Sequence, residues 1–182
     1  MRQFFASVLE IIEVAVVAIA AVFLIRSFLI QPFLVSGSSM VPNFSDGDYL
    51  LVDQITYRFR VPGRGEVVVF RPPENDSTYF IKRIIGLPGE TIRISGGKVI
   101  VSGGGYPEET VLQEGYLPPS FATRGEEEFI LSQDEYMLLG DNRSYSFDSR
   151  SWGALKKGNI VGLARLRLWP LNALQAFAAP AY

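Results

Sequence analysis

The sequence predicts a mainly β protein: an N-terminal transmembrane helix followed by an antiparallel, barrel-like β domain that carries a small variable β subdomain. Three observations support this fold class. Residues 14–34 are almost wholly apolar, short apolar runs between glycine and proline turns fill much of the remaining chain, and residues 95–128 are rich in turn residues. Short apolar runs bounded by turns are typical of buried strands. With 182 residues in all, the chain after the apolar segment is long enough for one domain with its own core.

The apolar segment predicts a membrane anchor over residues 1–34. At about 1.5 Å per residue, such a helix is about as long as the bilayer core is thick, roughly 30 Å. Arg26 interrupts the run, so either its side chain reaches the head groups or the span begins earlier and includes Glu10 and Glu13. A signal peptide cleaved after residues 18–20 (Ala-Ile-Ala) is less favoured, because the apolar run continues past that tripeptide. Arg2 is the only basic residue before the segment, so the positive-inside rule gives no orientation.

Several apolar runs predict the strands of the β domain. Their ranges are 49–52 continued by 55–57, then 66–70, 79–85, 136–139 and 160–169. The turn residues between the runs from residue 49 to residue 85 predict an antiparallel meander that brings Ser39 close to Lys82. Trp152 and Gly153 predict a turn before the last strand.

The same pattern divides the chain into regions. Residues 35–94 and 129–170 form the predicted β domain, and residues 95–128 form an inserted subdomain whose acidic run predicts a solvated face. Residues 171–182 form an apolar tail that is too short to span a bilayer, and it lies either on the domain or on the membrane surface.

Composition excludes several kinds of chemistry. The chain has no cysteine and no histidine, so it forms no disulfides and lacks the commonest zinc ligands. Its formal charge of −2 and the absence of a basic run argue against nucleic acid as a partner. We therefore expect no metal and no cofactor.

Two stretches together predict a catalytic pair. Ser39 lies among small residues in a loop stiffened by Pro42, which is typical of an active-site turn but also of a plain linker. Lys82 lies between Phe80 and Ile84 on one face of a predicted strand, and burial of that kind lowers the pKa of a lysine. In a chain without histidine, a neutral lysine is a suitable general base for a serine nucleophile.

Three motifs in this chain resemble those of type I signal peptidases, a bacterial family of serine proteases also called leader peptidases. They are residues 37–42 (Gly-Ser-Ser-Met-Val-Pro), residues 81–90 (Ile-Lys-Arg-Ile-Ile-Gly-Leu-Pro-Gly-Glu) and residues 140–150 (Gly-Asp-Asn-Arg-Ser-Tyr-Ser-Phe-Asp-Ser-Arg). They follow an N-terminal membrane segment in the family's order, and the resemblance covers nearly the whole chain except residues 95–128. It implies that Ser39 is the nucleophile and Lys82 the general base.

The resemblance also implies supporting roles in the third motif. Ser146 would hydrogen-bond the Lys82 amine, with Asp148 and Arg150 paired behind it, and Asp141 and Arg143 would hold the loop in place. Two carboxylates in this loop also raise the possibility of a metal, but no further acidic ligand is in register.

The oxyanion donors and the substrate pocket follow from the same resemblance. The Ser39 backbone N–H is the first donor. Gly37 stands where some members of the family have a serine, so the hydroxyl of Ser38 or Ser36, a backbone N–H or a water would supply the second. Asn43 stands where a threonine is usual. Five apolar side chains occupy the family's pocket positions, although each is also consistent with ordinary core: Phe33, Val35, Phe44, Phe80 and Ile81.

The family resemblance implies a membrane-bound endopeptidase that acts through an acyl-enzyme. Its partners would be membrane lipid and exported preproteins with small residues at the cleavage site, and its single-pass anchor would place the catalytic domain outside the bacterial plasma membrane. Two alternatives stay open. One is a self-cleaving Ser-Lys regulator, although such proteins carry a DNA-binding head instead of a membrane segment. The other is an inactive tethered β domain that binds extended peptides.

Overall fold

A computed structural model describes residues 2–28, 30–73, 75 and 77–180, and within the N-terminal helix it describes the side chains of residues 7–23. The helix, α1 (Arg2–Phe28), presents exposed apolar side chains such as Leu9, Ile19 and Phe23. Within those described residues, none of the helices combines the length and the apolar character that a membrane span requires. The predicted transmembrane helix is thus not confirmed. Its predicted end also differs, because Ile30–Leu34 pair with a neighbouring strand instead of continuing the helix.

The mainly β, antiparallel fold is confirmed. The larger of two sheets has the strand order β1-β2-β11-β3-β4-β9-β10, and β12 pairs with β11. Its strands are β1 (Ile30–Leu34), β2 (Tyr49–Asp53), β3 (Val67–Phe70), β4 (Phe80–Gly86), β9 (Glu135–Leu139), β10 (Leu155–Lys156), β11 (Ile160–Trp169) and β12 (Gln175–Ala176). The predicted meander is correct only for the β3–β4 hairpin, because β11 lies between β2 and β3. The sequence could not show this, since β11 comes from the far end of the chain.

Residues 55–57 were predicted as a strand. In the structure they instead lead into a short helix, α2 (Thr56–Phe59). The Asp53 carboxylate at the end of β2 accepts hydrogen bonds from the backbone N–H groups of Ile55 and Thr56 and from the Thr56 hydroxyl. These bonds satisfy the first donors of a helical turn and so end the strand.

The smaller sheet has the order β7-β6-β5-β8, so β7 and β8 are its free edges. Its strands are β5 (Glu90–Ser95), β6 (Lys98–Gly103), β7 (Tyr106–Val111) and β8 (Glu127–Ile130). It therefore begins before the predicted boundary at residue 95 and ends after residue 128. Ile92 and Val101 of this sheet form one buried cluster with Ile85, Met137 and Leu139 of the larger sheet. This shared core fixes one sheet against the other.

The C-terminal part of the chain packs against the larger sheet. Trp152, which was predicted to lie in a turn, is the last residue of the short helix α3 (Ser149–Trp152). The Asp148 carboxylate caps the start of this helix, and Gly153, with φ 86°, follows its end. Beyond β11, the described part of the tail returns along the sheet as β12, and the Phe177 ring packs against Phe44 with 4.4 Å between ring centroids. Residues 171–180 of the apolar tail thus lie on the domain.

Gly86→Ala is expected to destabilise the fold, because a Cβ at this position would lie 2.6 Å from Leu131 Cδ1 and 2.7 Å from Ile92 Cγ1. Overpacking of this kind costs about 1–3 kcal/mol. Urea denaturation measures the free energy of unfolding, and Gly105→Ala is the matched control because nothing lies within 4 Å of its added Cβ. Equal stability of the two variants would contradict the packing described for the shared core.

Candidate active site

The loop that carries Ser39 leaves the end of β1 and is fixed from both sides. The backbone N–H of Val35 donates to the carbonyl of Asp48 (2.8 Å), and the Gly37 N–H donates to the Asp46 carboxylate (2.7 Å). Met40 and Phe44 are both buried in a cluster beneath the loop. With φ at 93°, residue 37 adopts a conformation that favours glycine, so the glycine at this position is required by the turn.

Lys82 meets Ser39 across the sheet, as predicted. The Lys82 amine lies 2.8 Å from Ser39 Oγ and donates a second hydrogen bond to the carbonyl of Ile81 at 2.9 Å. It also lies over the Phe80 ring, 5.6 Å from the centroid. Because Lys82 is only 4% exposed, these groups replace nearly all of the water that an amine would otherwise bind.

Burial lowers the pKa of Lys82 to about 8, against the opposing effect of the negative charges of Asp148 and Asp141. About a tenth of the amine is therefore neutral at pH 7 and about half at pH 8, whereas an ordinary lysine is almost fully protonated at both. A neutral amine at hydrogen-bond distance can accept the proton of the Ser39 hydroxyl and so activate it as a nucleophile.

The loop after β9 closes over the Ser39 turn. The backbone N–H of Asn142 donates to the Ser39 carbonyl (3.0 Å), and the Asn142 side chain donates to the Ser38 carbonyl (3.0 Å). The close contact between this loop and the Ser39 turn requires a glycine at position 140, because a Cβ there would lie 2.5 Å from the Ser39 carbonyl oxygen and 2.2 Å from Ser146 Oγ. The Ser38 hydroxyl, predicted as an oxyanion donor, belongs to an exposed residue next to Ser39.

The predicted hydrogen bond from Ser146 to Lys82 is not present. Within the described residues, Ser146 Oγ is buried without a hydrogen-bond partner, while the Lys82 amine donates to Ser39 and to the Ile81 carbonyl. The Ser146 hydroxyl is near enough to Asp148 to help lower the pKa of that carboxyl, although the two make no hydrogen bond of normal geometry. The family resemblance thus places Ser146 correctly in the loop beside Gly140, but the hydrogen bond to Lys82 that it implies is not formed.

Asp148 and Arg150 form the predicted pair. Arg150 Nη2 lies 2.8 Å from Asp148 Oδ2, and the same oxygen accepts the Gly140 N–H at 3.0 Å. Burial by itself raises the pKa of Asp148, but the hydrogen bond and charge of Arg150 outweigh it, so the net shift is downward. The pair thus holds an ionised carboxylate near Lys82 and fixes the start of the loop.

Asp141 and Arg143 are both buried and paired, but with partners that the sequence did not reveal. Arg83 binds Asp141 through Nε (2.8 Å) and Nη2 (2.6 Å), and the Asn43 side chain donates to Asp141 at 2.8 Å. Arg143 binds Glu114 of the inserted segment. The position of Arg83 beside Lys82, on the opposite strand face, was a usable signal for the first pair. The Arg143–Glu114 pair had no such signal in the sequence, because Glu114 lies outside the three motifs.

An apolar cleft of about 400 Å³ opens beside the Ser39–Lys82 pair. Of the five predicted pocket residues, Phe33, Val35, Phe80 and Ile81 line it. Phe44 does not: it is 1% exposed and packs in the core against Phe177. Sequence reasoning missed two further lining aromatics, Tyr79, whose ring packs edge-on against Phe33 at 5.2 Å, and Phe147. Among the described residues, no group of three or more potential ligands is placed to bind a metal ion.

A serine hydroxyl bonded to a buried lysine, in a cleft of an antiparallel sheet, is the arrangement of a Ser-Lys serine hydrolase. The sequence model of the family described as signal peptidase, peptidase S26, matches residues 8–169. The chain therefore belongs to the signal peptidase family and is a serine protease.

Two relatives named signal peptidase agree with this membership. The chain is 39% identical over 155 residues to a protein named signal peptidase I from Leptolyngbya laminosa, an alignment that covers 80% of this chain and 72% of the relative. It is 36% identical over 138 residues to signal peptidase I V of Bacillus subtilis, covering 71% and 80% of the two chains. A crystal structure of a signal peptidase I from Enterococcus faecalis aligns with a TM-score of 0.47 at 26% identity, over 57% of this chain and 97% of the other.

Proposed function

We propose that this protein is an endopeptidase that removes N-terminal signal peptides from exported preproteins, with Ser39 as nucleophile and Lys82 as general base. The observation that carries the proposal is the 2.8 Å hydrogen bond between the Lys82 amine and Ser39 Oγ, made by a lysine whose pKa burial lowers to about 8. Family membership supports the reaction, and the relatives' names supply the substrate class.

In the proposed reaction, neutral Lys82 takes the Ser39 proton while Ser39 Oγ forms a bond to the carbonyl carbon of the scissile peptide. The carbonyl electron pair moves to oxygen, where the Ser39 N–H and the Ser38 hydroxyl are the proposed donors. When the oxyanion collapses, the C–N bond breaks and the Lys82 ammonium protonates the leaving amine. Water then attacks the acyl carbonyl carbon, with Lys82 as base again. As the bond between that carbon and Ser39 Oγ breaks, the Lys82 ammonium returns its proton to Ser39 Oγ and the new C-terminal carboxylate leaves.

Residues around the pair are proposed to hold it in place. Asp148 fixes the Gly140 N–H and pairs with Arg150, while Asp141 pairs with Arg83. Ser146 lies against Gly140, and we propose that its unpaired hydroxyl contacts the Lys82 amine only when substrate is bound. Apo geometry commonly tightens in this way in the Michaelis complex.

The cleft suits a short, small-residue segment of extended chain. Its walls include Phe33, Val35, Phe80 and Ile81, which narrow an apolar volume of about 400 Å³ beside Ser39. An extended peptide that adds along a strand edge presents alternate side chains to such walls. Small side chains at those positions fit the A-x-A pattern of signal-peptide cleavage sites.

We further propose that α1 anchors the protein as a single-pass segment in the bacterial plasma membrane, with the catalytic domain on the extracytoplasmic side. After Glu13, every described side chain of α1 is apolar through residue 23, and the exposed ones include Val14, Val17 and Phe23. A helix that is apolar on every face needs an apolar environment, which protein or lipid supplies. Precursors that emerge from the membrane would then meet the cleft near its surface.

Ser39→Ala and Lys82→Ala are each expected to abolish cleavage of a preprotein with an A-x-A site, because one variant lacks the nucleophile and the other the base. Ser77→Ala, in an exposed turn, is the matched control and keeps full activity. Cleavage is followed by gel shift and folding by circular dichroism. Substantial cleavage by either folded variant would rule out the pair, and binding without cleavage by the unaltered protein would favour the inactive peptide-binding domain.

The pH dependence of kcat/KM should report the titration of Lys82. Because only the neutral amine acts as base, kcat/KM should rise about tenfold per pH unit at low pH and level off above a midpoint at about 8. A pH series from about 6 to 10 with a soluble peptide substrate measures this, with circular dichroism confirming the fold at each pH. A profile with no rise near this midpoint would mean that another group is the base.

Val17→Lys combined with Ile19→Lys should weaken membrane attachment, since a charged side chain at the centre of a span costs about 2.5–3.5 kcal/mol. Both side chains are exposed on α1. The fraction of protein that stays with membranes after a carbonate wash measures attachment. Val61→Lys with Phe59→Lys is the control, because it makes the same change at exposed positions outside α1. Equal retention by the two double variants would contradict anchoring through α1.

A further inference from the structure

The segment between β7 and β8 contacts the catalytic loop through Arg143. The Arg143 side chain is 1% exposed, and its guanidinium donates to Glu114 Oε2 at 2.7 Å and to the Tyr116 hydroxyl at 3.0 Å. It also bonds the hydroxyl of Thr123 and, through Nε, the Gly140 carbonyl at 3.1 Å. One arginine thus joins three residues of the insertion to the first residue of the loop after β9.

Tyr116 makes a second connection. Its carbonyl accepts a hydrogen bond from the Asn43 side chain at 3.1 Å, four residues after the nucleophile. Its ring lies against Arg83, with 4.1 Å from the guanidinium carbon to the ring centroid, and Arg83 directly follows Lys82. Its hydroxyl donates to Glu114 Oε1 at 2.6 Å. The insertion therefore contacts all three stretches that meet at the site.

These contacts lead to the nucleophile in a few steps. Arg143 is held by Glu114 and donates to the carbonyl of Gly140. In the same loop as Gly140, the side chain of Asn142 donates to the Ser38 carbonyl and its backbone N–H donates to the Ser39 carbonyl. A displacement of the loop by a fraction of an ångström would move the Ser39 hydroxyl relative to the Lys82 amine. Misplacement of about 1 Å at a reacting group costs about a hundredfold in rate.

We propose that Glu114 and Tyr116 of the inserted segment are positioning residues for the peptidase reaction, which set the separation of Ser39 and Lys82 through Arg143 and Asn43. The inference rests on the proposed function. A purely structural role, in which these contacts only attach the insertion to the domain, would make the variants less stable without changing the chemistry of the folded enzyme.

The two roles differ in their effect on the pH profile. The groups that face the Lys82 amine are the Ser39 hydroxyl and the Ile81 carbonyl, the Phe80 ring, and the more distant carboxylates of Asp141 and Asp148. If the loops around it loosen, water reaches the amine and its charged form is stabilised. The midpoint of the kcat/KM profile then moves upward, whereas simple loss of folded protein lowers the rate at every pH alike.

The test compares Glu114→Gln and Tyr116→Phe with Glu109→Gln in the full chain. Tyr116→Phe keeps the ring and the backbone carbonyl and removes only the hydroxyl, so it remains informative if Glu114→Gln, which leaves Arg143 without its carboxylate, fails to fold. Glu109→Gln is the control, because it makes the same change in the same insertion at an exposed ion pair with Arg93. For each variant, kcat, KM, the pH midpoint and the thermal midpoint are measured.

We expect kcat to fall about tenfold in Tyr116→Phe and about a hundredfold in Glu114→Gln. KM should stay within about twofold, because neither residue lines the cleft. The pH midpoint should move upward in both variants, and Glu109→Gln should match the unaltered protein. An unchanged kcat and pH midpoint in folded variants would overturn the inference while leaving the proposed function intact. An unaltered protein that cleaves no preprotein would overturn the proposed function itself.

Discussion

The removal of the Lys82 amine from water is the constraint on which the rest of the structure depends. Lowering its pKa from 10.5 to about 8 corresponds to a net cost of about 3 kcal/mol for the charged amine at low pH, after the attraction of Asp148 and Asp141 has offset part of the desolvation. The fold has to supply that cost from packing elsewhere. Much of the packing around the amine comes from apolar clusters on either face of the larger sheet, which hold β4 beneath the Ser39 loop. Stability and reactivity are opposed at this one side chain.

Buried charges near the amine appear as neutralised pairs. In the Asp141–Arg83 pair and in the Asp148–Arg150 pair, the planar guanidinium donates to both carboxylate oxygens at once. An unpaired carboxylate at either position would stabilise the Lys82 ammonium more strongly and work against a neutral base. Pairing therefore lets the loop be rigid and polar without restoring the lysine to its usual pKa.

Patterns within short stretches of sequence predicted the features that depend on neighbouring residues. Strand alternation placed Lys82 between Phe80 and Ile84, and the three motifs identified Ser39, Asp148 and Arg150, whose contacts the structure shows. The signal that was not used is the turn formed by Asp53, whose carboxylate accepts from the backbone N–H groups of Ile55 and Thr56, so a short helix was predicted as a strand.

Contacts between distant parts of the chain could not be predicted in the same way. Nothing in the sequence near Arg143 points to Glu114, and the insertion of β11 between β2 and β3 depends on tertiary pairing. Phe44 satisfied the family's pattern for a pocket wall, yet its side chain turns into the core because Phe177 returns along the sheet to meet it. The Ser146 hydroxyl was predicted to bond the Lys82 amine, but within the described residues it is buried without a hydrogen-bond partner.

The free edges of the smaller sheet affect whether two copies of the protein can pair their strands at high concentration. β7 carries Glu108 and the Glu109 that pairs with Arg93, and β8 carries Glu127 and Glu128, so each edge strand has acidic residues and no basic one. Open strand edges are templates for pairing with another chain, and like charges along them oppose such pairing. Two copies held side by side would therefore resist fusing their sheets into a continuous ribbon, and the insertion stays a discrete unit at high local concentration.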